Sequence, residues 1–147
     1  MKGKIIIVGP GGSGKDFLRK KMVDKRFKKM ESYSKESINA EIIGSRNYKA
    51  LVVGWGSTYG VIKEAIDKLD DNDLAFAYFK QVYPLPNNTK EILSKAKKLI
   101  IIENNATSQF GQLIERYTGM KFIKHILKYN GMPFSLEEII EKLKGIK

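Results

Sequence analysis

The residues nearest the N-terminus that could do chemistry form a glycine-rich loop. Gly9, Gly14 and Lys15 fit the phosphate-binding pattern G-x-x-x-x-G-K, which follows an apolar run at 4–8 and precedes helical spacing. Backbone N–H groups at a helix N-terminus attract phosphates, and Lys15 could reach the outer ones. Asp16 stands where such a loop has the Ser or Thr that binds magnesium. One hypothesis is therefore a P-loop nucleotide-binding protein, with Glu103 or Asp16 near magnesium.

A second group of polar residues follows two apolar runs further along the chain. Gly54, Trp55, Gly56 and Ser57 follow the run at 51–53, and Glu103-Asn104-Asn105 follows the run at 99–102. Open α/β sheets place ligands or partner contacts at the carboxyl ends of their strands. The alternative is a hydrogen-bonded loop after residue 102 that orders the next helix. The sequence leaves both interpretations open.

The chain has few cysteine or histidine residues that could bind a metal. The chain has no cysteine and a single histidine, His125, which excludes disulfides, thiolate zinc sites and an iron–sulfur cluster bound by this chain. No Ser, Cys or carboxylate lies near His125 in sequence, so we expect a structural or surface role for it. The sequence predicts no metal site.

The charge and hydropathy patterns narrow the class of protein. The net charge of +11 is concentrated in residues 1–30, where ten Lys or Arg face two acids, and only four of the 27 basic residues are arginine. This distribution favours a solvated lysine face over a nucleic-acid-binding module, which would show salt-dependent binding. No apolar run approaches the roughly 20 residues of a membrane helix. We therefore expect a cytoplasmic protein that binds neither nucleic acid nor membrane.

The elements that must position these residues alternate between strand and helix. Apolar runs predict strands at 51–53, 74–79, 99–102 and 122–127, and helical spacing predicts helices from 61, 89, 108 and 135. We expect Gly54 and Gly56 to permit a tight turn, and Ser57 or Thr58 to cap the helix that follows. Ser135 and Glu138 form a capping-box pattern. Three segments follow: a P-loop-like strand and turn at 1–20, a basic amphipathic helix and linker at 21–50, and an α/β domain at 51–147.

Residues 1–20 resemble the P-loop start of nucleotide kinases, whereas most of the remaining chain resembles another family. The motifs of residues 21–147 are similar, in consistent order, to the C-terminal end of the alpha subunit of 2-oxoacid:ferredoxin oxidoreductases. They are Arg19–Arg26, Leu51–Gly60, Gln81–Pro86, Ile102–Gln109 and His125–Phe134. Met132 departs from the basic residue that this family has before Pro-Phe.

This resemblance implies a transketolase C-terminal-like domain, a three-layer α/β/α sandwich with a mostly parallel sheet of about five strands. The full enzymes decarboxylate 2-oxoacids to acyl-coenzyme A with thiamine diphosphate, Mg and iron–sulfur clusters, and pass electrons to ferredoxin. This chain lacks cysteine and the Gly-Asp-Gly of the thiamine fingerprint, so we expect it to bind none of these cofactors.

The resemblance also implies a role in assembly with the other domains and subunits of the enzyme, and it leaves a homo-oligomer open. We expect the isolated chain to be inactive. The residues expected at its interdomain face are Gly54, Trp55, Gly56, Ser57, Glu103, Asn104, Asn105 and Gln109.

Overall fold

The computed structural model describes residues 13–146, with side chains from residue 15 onward, and these fall into two compact units. The first unit extends to Glu36, and its described part is the long helix α1, Ser13–Lys35. The strand predicted at 4–8 and Gly9 lie outside the described residues.

Helix α1 confirms a basic helix here but contradicts its predicted amphipathic character. Phe17, Leu18, Met22, Val23 and Phe27 are all between 37% and 64% exposed. Successive helical residues advance by about 100°, so these five positions are spread around the helix and form no single apolar stripe.

The second unit, Ser37–Lys147, is the α/β domain. Its strands and helices alternate after an initial strand, with bounds β1 Glu41–Gly44, β2 Ala50–Trp55, α2 Tyr59–Leu69, β3 Leu74–Phe79, α3 Thr89–Ser94, β4 Lys98–Glu103, α4 Gln109–Thr118, β5 Lys124–Leu127 and α5 Leu136–Lys144.

The five strands form one sheet in the order β1-β3-β2-β4-β5, in which only β1 runs antiparallel to its neighbour. Helices α3 and α4 bury Leu93, Phe110 and Ile114 against one face. Helices α2 and α5 bury Ile62 and Ile139 against the other. The three-layer α/β/α sandwich with a mostly parallel sheet is thus confirmed.

Strand β1 extends the domain towards the N-terminus. The sequence assigned residues 21–50 to a basic helix and linker. In the structure Glu41–Gly44 pairs antiparallel with β3, from Glu41 opposite Tyr78 to Gly44 opposite Ala75. The compact α/β unit therefore begins at Ser37 and not at residue 51.

The strand order reverses direction between β2 and β4. The chain passes from β2 through α2 to β3 on one side, then crosses back through α3 to β4 on the other side of β2. In doubly wound sheets, the crevice at the carboxyl ends of two such strands is the usual ligand site. In this chain, Trp55 ends β2 and Glu103 ends β4.

Candidate functional site at the carboxyl edge of the sheet

The crevice between β2 and β4 is bridged by side chains of the chain itself. Trp55 Nε1 donates a hydrogen bond of 3.3 Å to Glu103 Oε2, and the Trp55 ring packs edge-on against Phe110 at 6.1 Å between ring centroids. The two residues that flank the switch point therefore contact each other across the place where a ligand would enter an open crevice.

Glu103 is the centre of this arrangement. Its side chain is fully buried, and its two carboxylate oxygens accept five hydrogen bonds. The donors are Trp55 Nε1, Asn105 Nδ2, Ser108 Oγ, Phe110 N and Gly111 N, at 2.6 to 3.3 Å. A carboxylate only accepts hydrogen bonds, so these donors occupy it and compensate its burial. Glu103 is thereby engaged by the domain itself rather than left open to a substrate.

The carboxylate also replaces the usual cap of α4. Ser108 is the N-cap residue, yet its own side chain makes no capping hydrogen bond. Glu103 instead accepts from the backbone N–H groups of Phe110 and Gly111, which otherwise have no partner within the helix. A negative charge at this end is favoured by the helix dipole. Strand β4 therefore fixes the start of α4 directly.

The loop between β4 and α4 is organised by Asn105. Its side-chain oxygen accepts from the backbone N–H groups of Thr107 and Gln109, at 3.1 and 3.3 Å, and its amide donates to Glu103. The hydrogen-bonded loop that orders the next helix, one of the two interpretations of this stretch, is confirmed. Asn104 and the Gln109 side chain are exposed at its surface.

The predicted turn after β2 needs two corrections. Gly54 lies within β2 rather than in a turn, and a Cβ there would lie 2.7 Å from Ile62 Cδ1, so glycine permits the close packing of β2 against α2. Gly56, with φ +58°, makes the turn as predicted. The predicted cap is wrong: Ser57 is exposed, and the Thr58 hydroxyl donates to the Trp55 carbonyl at 2.9 Å instead of capping α2.

The sequence missed a polar cluster around His125. The Nδ1 atom of His125 lies 2.7 Å from Ser108 Oγ, and its Nε2 atom lies 3.8 Å from Glu115 Oε1. Ser108 immediately precedes α4 and Glu115 lies within it, so these partners are close to His125 in space although neither is near it in sequence. A right-handed β4-α4-β5 crossover, which the strand pattern predicts, is the signal that could have paired α4 with β5.

This cluster does not have the features of a hydrolytic site. Ser108 is 4% exposed, has φ 53° and ψ 53°, and lies 3.2 Å from Glu103 Oε1. The backbone N–H groups of the first turn of α4 are directed to Glu103 and Asn105, so none is left to stabilise an oxyanion. The structural or surface role expected for His125 stays a prediction.

Glu115 connects this cluster to the next loop. The hydrogen bond from Lys121 lowers the pKa of Glu115 below its ordinary value; partial burial opposes this, and the backbone N–H of Phe122 adds to it. Glu115 is thus held as a carboxylate beside His125, and it ties the end of α4 to the residues that lead into β5.

The phosphate-binding prediction is only partly within the described residues. Gly14 and Lys15 lie in the first turn of α1, where Lys15 is exposed, and Gly9 lies outside. A phosphate-binding role for Gly9, Gly14 and Lys15 stays a prediction.

Neither an iron–sulfur cluster nor a metal ion, two of the groups that the resemblance implies for the full enzymes, finds a set of ligands among residues 15–146. The chain has no cysteine to hold an iron–sulfur cluster. The one buried carboxylate at the switch point, Glu103, is already fully occupied. Within residues 15–146, no three His, Asp or Glu side chains are grouped so that they could hold a metal ion. Among the described helices, none has both the length and the apolar character needed to cross a membrane.

Comparison with known proteins identifies relatives over most of the chain. No family model matches. The chain is 32% identical over 129 residues to 2-oxoacid:ferredoxin oxidoreductase 1, subunit alpha, of Sulfurisphaera tokodaii, and 33% identical over 133 residues to the protein of the same description from Aeropyrum pernix. Each match covers 85% of this chain but only 20% and 21% of the relative. The chain thus spans about a fifth of the length of these curated relatives. They give no support to the nucleotide-binding hypothesis.

Two solved structures share the fold. A 2-oxoglutarate:ferredoxin oxidoreductase from Magnetococcus marinus, with 2-oxoglutarate, coenzyme A and succinyl-CoA bound, matches 94% of this chain and 24% of its own, with a TM-score of 0.77 and 27% identity. The alpha chain of a probable 2-oxoacid ferredoxin oxidoreductase from Thermoplasma acidophilum is 35% identical, with a TM-score of 0.51, and the match covers 74% of this chain and 96% of that one. On this similarity, this chain belongs to the 2-oxoacid:ferredoxin oxidoreductase alpha-subunit family.

Proposed function

We propose that this chain is a C-terminal, assembly domain of a 2-oxoacid:ferredoxin oxidoreductase alpha subunit and that it carries no active site of its own. In the complete enzyme, the oxidative decarboxylation of a 2-oxoacid to acyl-coenzyme A, with electron transfer to ferredoxin, takes place on other domains. Thiamine diphosphate, Mg, coenzyme A and the iron–sulfur cluster belong to those domains. The complex is cytoplasmic in this proposal.

The observation that supports this role most strongly is the closed switch point. Trp55 and Glu103 fill the crevice in which related sheets bind small ligands. Both carboxylate oxygens of Glu103 accept hydrogen bonds from donors within the domain. What this edge offers to the outside is a rigid, polar loop surface. Such a surface suits a protein partner better than a substrate.

The proposed interdomain face consists of the exposed or partly exposed residues around that bridge. Trp55 is partly exposed beside Gly56 and Ser57, and Asn104 and Gln109 project from the loop that Glu103 and Asn105 hold in place. Gly54 lies beneath this face and permits its close packing. The face therefore combines one aromatic side chain with several hydrogen-bonding groups, as protein interfaces commonly do.

Co-elution with the thiamine diphosphate-binding domains and subunits of the same enzyme tests this proposal. We expect the chain to elute with them in size-exclusion chromatography, and we expect Asn104→Arg with Gln109→Arg to abolish co-elution. The matched control is Asn47→Arg with Asn72→Arg, which adds the same two charges on exposed residues away from this face. Elution of the wild-type chain alone, or co-elution unchanged in the Asn104 and Gln109 variant, would contradict the proposal.

A further inference from the structure

A groove of about 790 Å³ lies at the opposite end of the sheet from the proposed interdomain face. It is bordered by the amino ends of β2, β3 and β4, by the end of α2 and by the end of α5. Ala50, Leu69 and Ile146 line it and are partly exposed, so the groove presents apolar surface to solvent. Its volume is within the range of about 300 to 1,000 Å³ that is usual for small-molecule sites.

The rim of the groove has an excess of positive charge. Four lysines and two aspartates line it. Lys49 is paired with Asp73 at 2.7 Å, and Lys98 donates to the Ile146 carbonyl at 2.8 Å. The exposed ammonium groups of Lys97 and Lys144 have no partner among residues 15–146.

The one acid left over on the rim is Asp71. Its carboxylate accepts the backbone N–H of Asp73 at 2.9 Å and forms no ion pair within the described residues. The rim therefore carries two unpaired ammonium groups and a single carboxylate without an ion pair. An anion can bind near the lysines while an apolar body removes the exposed groove surface from water.

We propose that this groove binds a small organic anion that carries an apolar body, with Lys97 and Lys144 contacting the charge. Both requirements are needed: an inorganic anion would leave the apolar surface exposed, and a neutral apolar molecule would leave the two lysines without a counter-charge. The proposal is independent of the interdomain face, because none of the residues named for that face borders the groove.

The test uses two fluorescent probes of similar shape, anilinonaphthalene sulfonate, which is an anion, and the neutral phenylnaphthylamine. We expect saturable binding of the anion to the full chain, at least about fivefold tighter than binding of the neutral probe. Lys97→Gln with Lys144→Gln should weaken binding of the anion about tenfold, which corresponds to about 1.4 kcal/mol for the loss of two exposed charge contacts. The same variant should bind the neutral probe with unchanged affinity. Added salt should narrow the difference between the probes.

The controls separate a groove site from general binding to a basic surface. Lys90→Gln with Arg116→Gln removes the same charge from exposed positions outside the groove, so it should leave the affinity for both probes unchanged. Ala50→Leu, which fills the groove, should abolish binding of both probes, with circular dichroism to confirm the fold.

Three results would overturn the proposal: no saturable binding, equal affinity for the two probes, or an anion affinity that the Lys97 and Lys144 variant leaves unchanged. Weaker binding at higher protein concentration, together with a dimer in sedimentation, would assign the groove to a second copy of the chain and would also overturn it.

Discussion

Substitution of Glu103 probes the hydrogen-bond network that closes the switch point. In Glu103→Gln the side chain keeps its shape, but one oxygen becomes an NH2 group that cannot accept. Placed at Oε1, this group faces the N–H of Gly111; placed at Oε2, it faces those of Phe110 and Trp55. At least one backbone N–H that is buried therefore loses its acceptor in either orientation.

The expected magnitude follows from these donors. A buried polar group without a partner costs about 1–3 kcal/mol, so we expect Glu103→Gln to lower the free energy of unfolding by about that amount. Glu103→Ala leaves both backbone donors without their acceptor and removes the charge at the start of α4. We expect Glu103→Ala to lower the free energy of unfolding by about 3–5 kcal/mol, as is typical when a buried charge network is broken. Either loss is a large part of the roughly 5–15 kcal/mol of a typical domain.

The appropriate assay is urea unfolding monitored by circular dichroism and by the fluorescence of Trp55, the single tryptophan of the chain. Glu141→Gln is the matched control, because Glu141 is exposed and we expect a change within about 0.5 kcal/mol there. A Glu103→Gln variant as stable as the wild type, within about 0.5 kcal/mol, would refute the structural role assigned to this carboxylate.

Three further predictions concern the elements around this network. A Cβ at Gly111 would overlap the hydroxyl of the N-cap serine of α4, so Gly111→Ala should destabilise the chain by about 1–3 kcal/mol in urea unfolding, whereas Gly60→Ala, where a Cβ meets nothing, should be neutral or stabilising. Equal changes in the free energy of unfolding for Gly111→Ala and Gly60→Ala would contradict the steric overlap predicted at Gly111. The pKa of Glu115 is lowered in the folded chain, chiefly by Lys121. Glu115 therefore adds to the free energy of unfolding at a pH above its ordinary pKa of 4.5, and this stabilisation is lost as the pH falls through the lower pKa of the folded chain. Glu115→Gln should therefore flatten the dependence of stability on pH below about 4.5, and a curve parallel to that of the wild type would exclude this. Ser135→Ala removes the observed capping box of α5 and should cost about 1 kcal/mol in thermal or urea unfolding, with no loss arguing against the cap.

Sequence patterns predicted the elements whose signals are local. The apolar run at 74–79 coincides with β3, and the Ser135 capping box is present. Strand β1 was harder to find because it has only four residues, is exposed at both ends and pairs with a strand more than 30 residues later.

The candidate site shows the limit of sequence patterns more clearly. Glu103 was identified as a polar residue at a strand end, but its two possible roles depend on which donors surround it, and Trp55 Nε1 comes from 48 residues earlier. The partners of His125 likewise come from another element. Tyr117 shares the helical spacing of Phe110 and Ile114, yet it is 59% exposed and contacts Tyr83. Such pairings follow from the crossover of the chain, which no local pattern encodes.

The most direct test of the central claim, that the carboxyl edge is the interdomain face, is fluorine NMR of the chain labelled with 5-fluorotryptophan. The label reports only on Trp55, because this chain has one tryptophan and the partner domains are unlabelled. We expect its resonance to shift and broaden when the thiamine diphosphate-binding domains and subunits are added, and the Asn104→Arg, Gln109→Arg variant to show no change. A complex that forms while the Trp55 resonance keeps its position and its exposure to solvent would place the interface elsewhere and contradict the claim.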